Sequence, residues 1–160
     1  MKKGLLAILV IVALMTGCAT SAEKMARQAE VAAQVKEALQ DRHYKIDVHM
    51  MYPRRGSSVN VSSNYSLEVK GDTLVSYLPY FGRAYNVPYG GGKGLNFKAL
   101  ITGYRSEPGN KGLTRIQIST ENEEDQYLYY LEIFNNGEAT IDVQSRQREF
   151  ITYSGRMDLY

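Results

Sequence analysis

Two hydrophobic periods divide the chain. Between Ser21 and about Arg42 an alanine-rich run without glycine or proline repeats Met25, Ala29, Ala32, Val35 or Lys36, and Leu39 at three- and four-residue spacing, which places them on one stripe of an α-helix. Thr20-Ser21-Ala22-Glu23 directly before it has the pattern in which hydroxyl and carboxylate satisfy backbone donors reciprocally, so a helix is expected to start there. The stripe is thin and dominated by alanine. That suits packing on a domain or a stalk, with a helix lying on a membrane or pairing with a partner as the alternative.

From Tyr44 the period falls to two. YKIDVHMMY sets Tyr44, Ile46, Val48, Met50 and Tyr52 against Lys45, Asp47, His49 and Met51, the alternation of a half-buried strand. NYSLEVK, TLVSYL, NFKALITGY, LTRIQIST, YLYYLEIF and EATIDVQ continue the series. Gly71-Asp72 supplies a two-residue turn, and Asn136-Gly137 is a hairpin signal with positive φ expected at Gly137. These segments predict an α+β fold, an N-terminal helix followed by a curved antiparallel β-sheet of about seven strands covered on one face. No repeat or low-complexity stretch divides residues 44–160.

Ahead of both periods stands MKKGLLAILVIVALMTGC, with two lysines, an apolar run from Leu5 to Leu14, and then Met-Thr-Gly-Cys. The run is about half of the roughly 20 apolar residues that a spanning helix needs, and its layout is that of a secretory signal over residues 1–17. Met15-Thr16-Gly17-Cys18 resembles the lipobox of bacterial lipoproteins, with methionine where leucine is usual. Cys18 is the single cysteine, so no intrachain disulfide can form, and a lone thiol ending a signal sequence reads as a modified one. The resemblance implies cleavage before Cys18, acyl chains on its sulfur and amine, and a membrane tether joined through residues 18–43 to a β domain at 44–160. Ala19 stands where an aspartate would signal inner-membrane retention in better-known envelopes, which points to the outer membrane.

Of the 19 basic residues, Lys2 and Lys3 leave with the leader, and 17 then face 17 acidic ones. A formally neutral chain argues against nucleic-acid binding, which requires clustered positive charge. The 13 tyrosines, 4 phenylalanines and absence of tryptophan reinforce the β reading.

The stretch richest in candidate chemistry is LPYFGRAYNVPYGGGKGLNF, Leu78 to Phe97. A phosphate loop requires G-x-x-x-x-G-K-[ST] between a strand and a helix. With Gly92-Lys93 as the central pair, the leading position is Val87, the hydroxyl position is Gly94, and LNFKALI reads as a strand; a dinucleotide fingerprint also needs a following helix. What remains is a long connection of a length that is uncommon unless functional or disordered, its aromatics either folded beneath it or offered to a partner. Tyr80, Phe81, Arg83, Tyr85, Tyr89 and Lys93 are the candidate partner-binding residues, because Tyr and Arg are enriched among the energetic anchors of interfaces. LPYFGRA, YGGGKGLNFKA and the terminal ITYSGRM resemble an uncharacterised family of exported Bacteroidetes-type proteins, often lipoproteins, the domain of unknown function 4251. The resemblance covers most of Tyr44 to Tyr160; it implies a fold and an export route and assigns no catalytic residue.

Other constellations are sparse. His43 and His49 have no third ligand at zinc spacing, no G-x-S-x-G elbow occurs, and Glu121, Glu123, Glu124 and Asp125 in TENEEDQY fit a solvated hairpin tip better than a calcium loop. The sequence therefore points to a lipid-anchored cell-envelope protein that binds or assembles without turnover. It needs no metal and no cofactor, and its partners are the membrane and an envelope protein or glycan. An envelope hydrolase or accessory enzyme acting on glycan or peptide is the alternative.

Overall fold

The computed structural model describes residues 2–61, 64–85 and 95–159, with side chains described from Ser21 onward. Helix α1 (Lys2–Gln40) is continuous through Thr20–Glu23, so the expected start there is not one. Inside a helix the amides are already bonded and a capping box has nothing to cap; Glu23 instead meets Arg27 at 2.6 Å, one turn on. Side chains from Ser21 to Glu30 are exposed, Met25 among them. The apolar stripe engages only later, where Val35 enters the core and Val31, Ala38 and Leu39 pack against it. From Ser21 onward, among the described residues, no helix is long and apolar enough to cross a membrane.

Among the described residues nine strands follow: β1 (His43–Pro53), β2 (Val59–Asn60), β3 (Ser66–Lys70), β4 (Thr73–Leu78), β5 (Leu95–Pro108), β6 (Leu113–Glu121), β7 (Gln126–Phe134), β8 (Glu138–Ser145) and β9 (Ile151–Met157). From β3 to β9 each strand pairs antiparallel with the next, and β1 pairs with β3 on one side and β9 on the other. The sheet is thus a closed barrel of eight strands and not an open curved one, and β2 is a two-residue extension on the flank of β1. The strand absent from the seven-strand expectation is β9. Its glycine and short hydroxyl residues dilute the apolar signal, yet Ile151, Tyr153, Gly155 and Met157 share the buried face.

Gly155 is what lets the barrel shut. A Cβ built there would overlap the Asp47 carbonyl oxygen across the β1–β9 seam, where β1 bulges between Val48 and Met50. A second bulge interrupts β5 at Ile101 and Gly103; such bulges add local twist and help a sheet curl onto itself. Alternation then turns Ile46, Leu67, Leu74, Ile118, Leu131 and Ile141 inward with no measurable solvent contact for most, and a barrel of eight strands has room for little beyond its own side chains. Two tyrosines share this interior. Tyr129 donates to Ser76 Oγ at 3.1 Å, which donates to the Leu95 carbonyl at 2.7 Å, and Tyr153 donates to the Pro79 carbonyl at 2.6 Å. Burial pushes the pKa of both phenols up.

The antiparallel meander sorts its connections by end. One, the helix end, receives α1 and carries short turns at residues 71–72, 109–112 and 135–137; the other, the loop end, carries residues 54–61, 64–65, 79–85, 122–125 and 146–150. In the two-residue turn only Gly71 has positive φ, the type II′ arrangement. Asn136-Gly137 closes a three-residue loop with Gly137 at φ 85°, as a type I turn followed by a left-handed residue does.

Candidate functional site

The loop end holds the two buried carboxylates among the described residues, Asp125 and Glu149. Leu78 and Pro79 are buried where β4 ends, and the chain then runs as a strap across the barrel mouth. Tyr80 folds back beneath it, its hydroxyl shared between the carbonyls of Arg83 at 3.0 Å and Glu149 at 3.2 Å. Gly82 makes that possible, since a Cβ there would stand 2.6 Å from the Tyr80 hydroxyl. The strap is stitched to the β8–β9 loop by Tyr85 N–H to the Gln147 carbonyl at 2.7 Å and Glu149 N–H to the Arg83 carbonyl at 3.0 Å, around a bridge between Ala84 and Arg148. LPYFGRA is in this sense a fastener.

Beneath the strap, Asp125 is buried. Its Oδ1 accepts from the amides of Gln126 at 2.8 Å and Arg146 at 3.2 Å, and its Oδ2 from Gln147 at 3.0 Å. Asn122 Oδ1 accepts from the amides of Glu124 and Asp125, each at 2.9 Å. Arg148 meets Glu124 at 3.3 Å and lies 5.5 Å from the Tyr80 ring centre. TENEEDQY is therefore not simply a solvated tip: a carboxylate with three amide donors ties the β6–β7 turn to the β8–β9 loop, and charge-assisted bonds of this kind are the strong ones. Nearby, Tyr127 Oη, Ser145 Oγ and Arg148 Nε are buried with no hydrogen-bond partner within 3.5 Å among the described residues. Burial raises the Tyr127 pKa, with the neighbouring Asn122 amide opposing it.

Of the six candidate partner-binding residues, Tyr80 is half-buried and serves the strap. Phe81, Arg83 and Tyr85 face solvent, while Tyr89 and Lys93 lie outside the described residues. The β1–β2 hairpin approaches the strap to form an open cleft of about 360 Å³, lined by Pro53, Arg55, Val59, Phe81, Arg83 and Glu149. Glu149 is buried there, with Oε1 3.7 Å from the Arg55 guanidinium and Oε2 3.5 Å from the Arg83 amide. Sequence reasoning missed Arg55, Val59 and Glu149, whose nearness to Phe81 is created only by the fold; the one local signal here was the Asx-turn capacity of Asn122. Among the described residues no group of three His, Cys, Asp or Glu is placed to hold a metal ion, and His43 and His49 are both exposed on β1.

A family model for the domain of unknown function DUF4251 matches residues 26–157. The chain belongs to the DUF4251 family. A crystal structure of a DUF4251 family protein from Bacteroides eggerthii is similar to it, with a TM-score of 0.63 and 17% identity over 82% of this chain and 91% of that one, a likeness that speaks for the fold alone. No curated protein matches the chain. In this DUF4251 protein, two of the three motifs that carried the resemblance have structural explanations: LPYFGRA fastens the strap, and ITYSGRM is the strand that closes the barrel, while Tyr89 to Gly94 of YGGGKGLNFKA lie outside the described residues.

Proposed function

We propose that this DUF4251 protein is a lipid-anchored component of the cell envelope that acts by binding at its loop end, without turnover. The observation that carries this reading is the pair Phe81 and Tyr85, 61% and 66% exposed, on a strap held at one end by the β4–β5 pairing and at the other by the backbone pairing of Arg83 to Tyr85 with residues 147–149. Rigid aromatic rings already held in water lose little conformational freedom when a partner covers them, which favours affinity. The loop-end carboxylates support binding over acid/base chemistry, because Asp125 serves backbone amides, Glu124 meets Arg148 and Glu149 meets Arg55. Cys18 lies on α1, which enters the barrel at the opposite end, so a lipid there would leave the loop end facing away from its tether.

Co-sedimentation of the full-length protein in detergent with cell-wall sacculi and outer-membrane vesicles tests the reading. Phe81→Ala combined with Tyr85→Ala should lower the bound fraction at least about five-fold while the melting temperature stays put, since exposed positions change stability by roughly 0.5 kcal/mol or less. Undiminished sedimentation of the double variant would refute a binding role for the strap. For the anchor, Cys18→Ser should abolish fatty-acid labelling and detergent-phase partitioning; labelling that persists would remove Cys18 from the proposal.

A further inference from the structure

We infer that the cleft between the β1–β2 hairpin and the strap binds a carboxylate-bearing sugar unit of an acidic glycan. The inference rests on the binding reading above and adds the ligand class. Its first support is the shape and polarity of the walls. Phe81, 61% exposed, and Val59, 40% exposed, lie with Pro53 in the same cleft. An exposed aromatic face in a shallow, open depression matches the C–H face of a pyranose ring, which stacks on it flat. The cleft, at about 360 Å³, is at the small end for ligand sites, where volumes run from about 300 to about 1,000 Å³. That suits one or two sugar rings of a chain that continues across open surface.

Charge supplies the second support. Arg55 and Arg83 line the cleft together with one carboxylate, Glu149. Glu149 is buried and reaches Arg55 at 3.7 Å, beyond hydrogen-bond distance, with Arg55 65% exposed; the Arg83 side chain has no ion pair among the described residues. Arg54, also exposed, adjoins them on the hairpin. A guanidinium fork facing water beside an apolar wall is the arrangement that takes a carboxylate with two parallel N–H bonds. Ser57 completes the lining with a hydroxyl, able to both donate and accept, as sugar hydroxyls require.

An acidic peptide fits less well. Extended peptides commonly dock by adding a strand to a sheet edge, and closure of the barrel leaves β2, two residues long, as its short flank. The apolar wall presents one ring face and not the series of alternating pockets that an extended chain would need.

Calorimetric titration of the full-length protein in detergent micelles with polygalacturonate, dextran of equal length and poly-glutamate decides the matter. Polygalacturonate should bind, and dextran should bind much more weakly. Arg83→Gln and Phe81→Ala should each raise Kd about ten-fold, equivalent to about 1.4 kcal/mol, with unchanged melting temperatures. Arg83→Lys should fall between, keeping the charge and losing the fork. Raising salt from about 0.05 M to about 0.5 M should weaken binding to the wild type more than to Arg83→Gln. Polygalacturonate binding no tighter than dextran, or insensitive to Arg83→Gln, overturns the acidic class; if Phe81→Ala still abolishes dextran binding in that case, the binding reading survives without it. Equal affinity for poly-glutamate overturns the glycan assignment. Silence toward all three probes overturns the inference, whereas the sedimentation experiment judges the binding reading independently.

Discussion

At the helix end, Val35 with its neighbours Val31, Ala38 and Leu39 closes the barrel by apolar contact, and the turns are short and left-handed: Arg42, Gly71, Lys111, Gly112 and Gly137 all have positive φ. At the loop end the closing groups are polar and distant in sequence. Asp125 reaches the amides of Arg146 and Gln147, Tyr80 reaches the Glu149 carbonyl, and Tyr153 reaches the Pro79 carbonyl. Apolar packing and turn glycines are non-directional or local, so the helix end can be put together piece by piece. The loop end needs every donor and acceptor in place together, because a buried polar group left alone costs more than its bond contributes. The same directionality holds Phe81 and Tyr85 in water, where a purely apolar closure would have drawn them in.

Alkali should have the largest effect and should strike both ends. Tyr44, beside α1, has a raised pKa, from burial first and from Tyr104 second, and burial raises Tyr129 and Tyr153 as well. A phenol whose folded pKa exceeds its unfolded value contributes stability that is complete below the unfolded pKa, near 10, and is lost as pH rises through the folded value. Melting temperatures should therefore hold to about pH 9 and drop steeply above about pH 10. A melting temperature unchanged up to about pH 12 would mean that these phenols reach water.

Asp125→Ala separates the ends. Three amides lose their acceptor, so denaturant unfolding should show a loss of about 3 kcal/mol. Hydrogen exchange should quicken at residues 146–149 and in the strap while the turn at 109–112 keeps its protection. Uniform loosening of both ends would break the distinction drawn between them.

Gly137→Val probes the helix end through backbone strain alone, because the nearest atoms to an added Cβ stand at ordinary contact, 3.6 Å or more. A β-branched residue at φ 85° should cost about 1–2 kcal/mol. An unchanged melting temperature would show that the turn relaxes to another form. Smallest of all should be Phe81→Ala, within about 0.5 kcal/mol because the ring is exposed; a loss of about 3 kcal/mol, as for a buried phenylalanine, would mean that the ring belongs to the core and that the strap is closed as the helix end is.

The period-two segments and the turn residues Gly71 and Gly137 were legible in the sequence because strand alternation and positive φ are local requirements; the exception lies past the β1 bulge, where Met51 turns inward and Tyr52 outward against the expected alternation. The failure of the phosphate-loop pattern was legible as well. The helix stripe was half legible: of its expected positions Val35 and Leu39 meet the barrel, joined by Val31 and Ala38, which lay outside it. Strand β9 escaped because Gly155 reads as a break in an apolar pattern, when its value lies in what stands opposite. Closure, the role of Gly155 against Asp47, the burial of Asp125 and Glu149, and the meeting of Arg55 with Phe81 and Arg83 were decided by the tertiary structure alone. Each depends on groups from strands or loops far apart in sequence, and whether a carboxylate is a solvated tip or a buried acceptor depends on which distant amides the barrel brings to it.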